Sequence, residues 1–191
     1  MNHPSAPTAA HRRDGTGAFY VVIRGPLGVG KTTVARNVAS RIAAEYISID
    51  RILEQRGLED EWEAGYISQR SFLRANSFAA EEARRSLDAD RPVVIDGNFY
   101  WKSQVEDLRL RLAYPHRVFT LRAPLSVCIE RDGRRAPSYG AEAAAEVYAK
   151  ATEFDYGTVL DANRPLGAVV REVLALLPKD ASPRRSNRAK A

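Results

Sequence analysis

The chain has a single cysteine, Cys128, which excludes an internal disulfide and suits a reducing, cytoplasmic setting. It has no apolar run near the ~20 residues that a membrane helix needs. Met1 to Gly17 contain no apolar stretch of the secretory-signal kind. Histidine is sparse: His3, His11 and His116 show none of the spacings that hold zinc. There is no internal repeat and no second domain. A length of 191 residues suits one α/β domain with an extension at each end.

A charge excess spread over a folded surface is also missing. The formal charge is +5, but it sits at the ends. In the tail, 178–191, Lys179, Arg184, Arg185, Arg188 and Lys190 face only Asp180; in the head, 1–17, Arg12 and Arg13 face Asp14. The body, 18–177, is therefore neutral. A protein that grips nucleic acid usually carries basic residues on its folded surface. The Ser, Pro, Ala and Arg composition of both ends is that of disordered chain. A solubilising tail is one reading of 178–191; contact with RNA or an acidic partner is the other.

What the sequence does have is an alternation of apolar runs and helical patterns. Strands are expected at Phe19–Ile23, Tyr46–Ile49, Pro92–Ile95, Arg117–Leu121 and Thr158–Leu160. Helices are expected at Lys31–Ala44, Gln69–Ala89, Ser103–Leu112, from Pro124 through Arg131, at Ala141–Phe154 and at Pro165–Leu177. Ile52 to Tyr66 reads as helical pieces, and Asp132 to Tyr139 as a Gly/Arg/Pro loop. Strand–helix alternation demands a parallel sheet covered on both faces.

Gly25-Pro26-Leu27-Gly28-Val29-Gly30-Lys31-Thr32 satisfies the pattern G-x-x-x-x-G-K-[ST] between an expected strand and an expected helix. The glycines let successive N–H groups turn toward one anion, and the helix start adds its positive end. Lys31 can reach the β- and γ-phosphates of a nucleoside triphosphate, and the Thr32 hydroxyl can ligate Mg²⁺. Thr33 extends the same helix start. Asp96 closes the third apolar strand, where an acidic residue can hold Mg²⁺ through water; it can equally begin the turn Asp96-Gly97-Asn98. ATP and Mg²⁺ are the expected cofactors.

No Asn-Lys-x-Asp signature is present, and Asp96 is not followed by x-x-Gly, so the chain departs from Ras-type GTPases. With an arginine loop before its fifth strand, it resembles the small P-loop kinases over Phe19 to about Leu177. That group includes adenylate, shikimate and gluconate kinases, chloramphenicol phosphotransferase and the zeta-toxin-like kinases. The resemblance implies a three-layer P-loop NTPase fold of strand order 2-3-1-4-5, with a short mobile lid at about 132–139. It implies that two lid arginines a turn apart serve adenine and the transferring phosphate. Arg131 and Arg135 match that spacing, and Arg134 competes. It implies that the loop Asp161–Pro165, with Asn163, passes beside adenine; an ordinary turn before Pro165 fits as well.

In relatives that phosphorylate hydroxyls, an aspartate follows the second strand as general base. Asp50 stands there, although it could instead cap the next helix. Arg70 and Arg74, one helical turn apart, are either contacts for an acidic acceptor or surface charges. Asn98, Phe99, Tyr100 and Trp101 follow the third strand, where α/β sheets bind ligands. They suggest a ring-bearing or partly apolar acceptor, with Trp62 and Tyr66 closing the pocket. The glycine triplet that shikimate kinases carry nearby is missing. The expected activity is ATP-dependent phosphorylation of a small-molecule hydroxyl on a sugar, nucleoside or natural product. The alternatives are a nucleoside or nucleotide kinase, a polynucleotide 5′-hydroxyl kinase and a non-catalytic nucleotide-binding module. Monomer and homodimer are both compatible with the sequence.

Overall fold

The computed structural model describes residues 18–136 and 138–178. The expected head, nearly all of the basic tail and one lid position, Pro137, lie outside the described residues. The elements run β1 (Tyr20–Arg24), α1 (Lys31–Arg41), β2 (Glu45–Ser48), α2 (Ile49–Gln55), β3 (Trp62–Glu63), β4 (Tyr66–Ile67), α3 (Gln69–Leu87), β5 (Val93–Gly97), α4 (Lys102–Arg111), β6 (His116–Arg122), α5 (Leu125–Gly133), α6 (Ala141–Ala151), β7 (Thr158–Asp161) and α7 (Leu166–Ala175).

The main sheet is parallel, in the order β2-β5-β1-β6-β7. Counted along its own five strands this is 2-3-1-4-5; the labels differ because the small antiparallel hairpin β3–β4 intervenes. Residues Tyr20 to Arg24 are all buried, as a strand covered on both faces requires. Val21 and Ile23 join the core beside α1 and α7, with Val34, Val38, Val169 and Val173. Tyr20 and Val22 join the opposite core beside α3 and α4, with Phe72, Ala79, Val105 and Leu108. Among the described residues, no helix is long and apolar enough to cross a membrane.

Three local differences from the sequence reading follow from short-range chemistry. Helical pieces were expected over 52–66, but α2 stops at Gln55 and a hairpin follows. Gly57, Ala64 and Gly65 take positive φ there, at 59°, 51° and 84°, which breaks a helix and turns the chain. Ile49 and Asp50 were expected at the end of a strand, but they open α2. The Ser48 hydroxyl is the cap, accepting from the Arg51 N–H at 3.4 Å. Asp132 and Gly133 were expected in a loop but continue α5.

The register aligns the carboxyl ends of three strands. Ile23 pairs with Asp96 across β1–β5, and Ser48 pairs with Asp96 across β2–β5. The residues that follow β1, β2 and β5 therefore leave the sheet side by side, at the edge where α/β sheets bind ligands.

Arg24, the last residue of β1, is 0% exposed. Its guanidinium donates to the Phe154 and Ala151 carbonyls at 2.9 and 2.8 Å, and to Thr120 Oγ1 and the Phe99 carbonyl at 3.3 Å each. It also lies 3.9 Å from the centroid of the Phe154 ring. Arg24→Met should destabilise the fold by about 3 kcal/mol or more, because it removes a charged donor and strands buried acceptors. Urea unfolding of the variant against the parent measures this.

Candidate active site

The phosphate loop is shaped by what lies beneath it. A Cβ on Gly28 would stand 2.1 Å from the Cys128 carbonyl oxygen of α5, and its φ is +76°. No other residue fits so close to that backbone. Gly30 has φ +103° with open space where a Cβ would be. Its role is to turn the chain into α1 and leave the helix start bare for an anion.

Lys31 is buried and donates to the Pro26 carbonyl at 2.9 Å and to Asn98 Oδ1 at 2.7 Å. Burial lowers its pKa; Asp50 and Asp96 oppose that shift. The Thr32 hydroxyl donates to Asp96 Oδ2 at 2.8 Å, and the Tyr46 hydroxyl donates to Asp96 Oδ1 at 2.9 Å. Tyr46 thus fixes the orientation of the Asp96 carboxylate, a role that nothing in the sequence pattern singled out. Among the described residues, no group of three His, Cys, Asp or Glu side chains could hold a metal. One hydroxyl and one carboxylate fit Mg²⁺, which keeps most of its waters and takes phosphate oxygens as its other ligands.

Asp50 lies across Asn98 from Lys31. The Asn98 N–H donates to Asp50 Oδ1 at 3.2 Å, while its side-chain oxygen accepts from Lys31. Because Ser48 caps α2, the Asp50 carboxylate is free to face inward. Its pKa is raised to about 6, chiefly by desolvation; Asp96 and Glu59 push the same way, while Lys31 and the Asn98 N–H pull it down.

A cavity of about 910 Å³ joins these groups. It is lined on one side by Leu27, Gly28, Gly30 to Thr33 and Arg131, on the other by Asp50, Trp62, Tyr66, Asn98 and Tyr100, and by Arg135 between them. Gly25, Pro26 and Val29 are buried residues of the loop, and Val29 packs in the core. Arg131 donates to the Val29 and Ala162 carbonyls at 3.1 Å each, tying the phosphate loop to the turn after β7. It also borders a second cavity of about 210 Å³ with Val29, Thr33, Ala162 and Arg164. Asn163 itself is exposed, and its N–H turns back to Asp161 at 2.8 Å.

Arg134 is paired with Glu130 on the exposed side of α5, whereas Arg135 faces the cavity and stacks 5.4 Å from the Tyr139 ring. Asp132, buried beneath them, was missed by the sequence reading. It accepts from Ser138 Oγ and the Tyr139 and Gly140 N–H groups at 2.9, 2.9 and 3.2 Å, tying the segment after α5 to the end of that helix.

Two expectations are corrected. Arg70 and Arg74 lie on the exposed side of α3 and do not line the cavity, because the opposite side of α3 packs on the sheet. Phe99, expected among the pocket aromatics, is 0% exposed and packs against Phe72 in the core. Its φ of 45° turns the chain so that the next residue, Tyr100, faces the cavity instead.

Lys31→Met should weaken nucleoside triphosphate binding by about 2–3 kcal/mol, roughly 30- to 150-fold, with little effect on a nucleoside monophosphate. Calorimetric titration with both ligands checks this.

The sequence profile of the AAA domain family matches residues 21–154. No curated protein sequence matches the chain. Solved structures resemble it in fold. A sugar kinase from Janibacter sp. superposes with a TM-score of 0.67 at 20% identity, over 83% of this chain and 93% of that one. A gluconokinase from Sinorhizobium meliloti gives 0.61 at 20% identity, over 84% and 92%. An APS kinase from Mycobacterium tuberculosis, in complex with AMPPNP and APS, gives 0.67 at 16% identity, over 84% and 98%. With its phosphate loop, its sheet order and that profile match in agreement, the chain belongs to the AAA domain family and has the fold of the small P-loop kinases.

Proposed function

We propose that this protein transfers the γ-phosphoryl group of ATP to a hydroxyl of a small molecule. The observation that carries the reading is Asp50. A half-buried carboxylate with a raised pKa faces Lys31 across Asn98, inside one cavity with the phosphate loop. A protein that only bound a nucleotide would have no use for such a base. The kinases of like fold act, by their names, on a sugar, on gluconate and on APS, which agrees with a small acceptor.

In this reading, the N–H groups of Gly28 to Thr32 and the Lys31 ammonium hold the β- and γ-phosphates. Thr32 and Asp96 would hold Mg²⁺, which when bound neutralises phosphate charge. The acceptor hydroxyl lies beside Asp50 and gives it its proton as the new O–P bond forms. The bond from the γ-phosphorus to the β,γ-bridging oxygen breaks, and ADP leaves with that electron pair. Charge spreads over the three phosphoryl oxygens, where Arg135 can bond two at once. Arg131 and the smaller cavity beside Ala162 would receive the nucleoside end. Arg70 and Arg74 stand outside the cavity, so no described α3 arginine grips an acceptor phosphate.

Asp50→Asn should lower kcat at least about 10³-fold while ATP binding stays within threefold of the parent. Retained turnover would remove Asp50 from the role of base. Because the base must be ionised and its pKa stands at about 6, kcat/KM for the acceptor should rise through pH 6 and level off above it. A pH–rate profile at saturating ATP checks this.

A further inference from the structure

The cavity changes sign along its length. Its phosphate-loop end presents Lys31 and Arg131, its far end presents Glu54, Glu59 and Glu146 around Asp50 with Arg51 among them, and Arg135 stands between the two on the Tyr139 ring. No described Lys or Arg forms an ion pair with any of these three glutamates. Other glutamates are paired: Glu45 with Arg91, Glu130 with Arg134 and Glu172 with Arg164. The crowding registers in Glu59, whose carboxyl is pushed up by desolvation and then by Glu54 and Asp60. The Glu59 charge also adds to the upward push on Asp50.

The same end is walled by aromatic rings. Trp62, Tyr66, Tyr100 and Tyr139 line it, and the Tyr66 and Tyr100 rings sit 5.3 Å apart. Trp62 is 66% exposed, so its ring is open to a ligand. Unpaired carboxylates beside ring faces attract a cation twice, by charge and by the ring quadrupole. They repel a carboxylate or a phosphate. Asp50 supplies one more acceptor, since no described donor bonds its second oxygen.

We propose that the acceptor is an alcohol that also carries a protonated amine, with its ammonium held between Glu54, Glu59 and the Trp62 ring, since the Tyr66 ring already faces the Lys150 ammonium at 5.8 Å. The hydroxyl then lies at Asp50. This assignment rests on the kinase reading above, in which that hydroxyl takes the phosphoryl group and Asp50 its proton.

Two sets of probes share a skeleton and differ in charge: phenylalaninol, 3-phenylpropan-1-ol and 3-phenyllactate; and glucosamine, glucose and gluconate. Binding is read by tryptophan fluorescence with ADP and Mg²⁺ present, and turnover by ADP release from ATP. In at least one set the ammonium-bearing member should bind at least about tenfold more tightly than the neutral one, and the carboxylate most weakly. The double variant Glu54→Gln, Glu59→Gln should cut the ammonium-to-neutral affinity ratio by about tenfold. Equal affinities, preference for the carboxylate, no ammonium binding at millimolar concentration, or an unchanged ratio in the variant would overturn the proposal. Charge-selective binding without ADP release would overturn the kinase reading alone; phosphorylation without charge preference would overturn the amine assignment alone.

Discussion

A guanidinium with no described carboxylate in hydrogen-bond reach holds the carboxyl edge of this sheet together. Arg24 takes its partners from β6, from the turn after β5, from the last turn of α6 and from the segment that follows it. Burial lowers its pKa to about 10, so it remains charged at neutral pH. The Ala151 carbonyl it grips belongs to the end of α6, where the helix dipole is negative. Through the Phe99 carbonyl it fixes the turn that carries Asn98 and Tyr100. The next residue along its own strand opens the phosphate loop. One side chain thus ties the start of the phosphate loop, the turn after β5 and the end of α6.

From that frame the two halves of the site acquire opposite electrostatic characters. The donor half gathers N–H groups, Lys31 and Arg131 where phosphate charge would lie. The far half keeps carboxylates and rings. Asn98 stands between them and bonds both Lys31 and Asp50 with different atoms. Movement of one group is therefore felt by the other. Asp96 is similarly shared, accepting from Thr32 and Tyr46 at once, so the candidate metal position is oriented from β2 as well as from α1.

Much of the fold was legible in the sequence because its strands are short, built on apolar runs and separated by helical periodicity. Val93 to Ile95 can be read as a buried strand without any tertiary knowledge. The hairpin at Trp62–Ile67 could not be read, since strands of two residues carry no alternation to detect. The phosphate loop was legible because its chemistry demands a fixed spacing. The lid arginines were legible only through resemblance; choosing Arg135 over Arg134 required knowing which side of the chain meets Glu130. Arg24 and Asp132 gave no signal at all. A charged residue at a strand end or helix end is ordinary in sequence, and only packing shows that these two are buried. Arg70 and Arg74 illustrate the converse, a spacing that suits a binding site on the wrong side of a helix.

The contact between Gly28 and the Cys128 carbonyl gives the phosphate loop a hard floor. The loop cannot sink when the site is empty, because backbone already fills the space below it. It can only lift, and lifting it would unroof Cys128, which is 0% exposed. Burial also raises the thiol's pKa, so the sulfur is chemically quiet while the loop is seated. The lone cysteine of the chain therefore has its backbone beneath the phosphate loop, and its reactivity is a natural clock for how often the empty loop breathes.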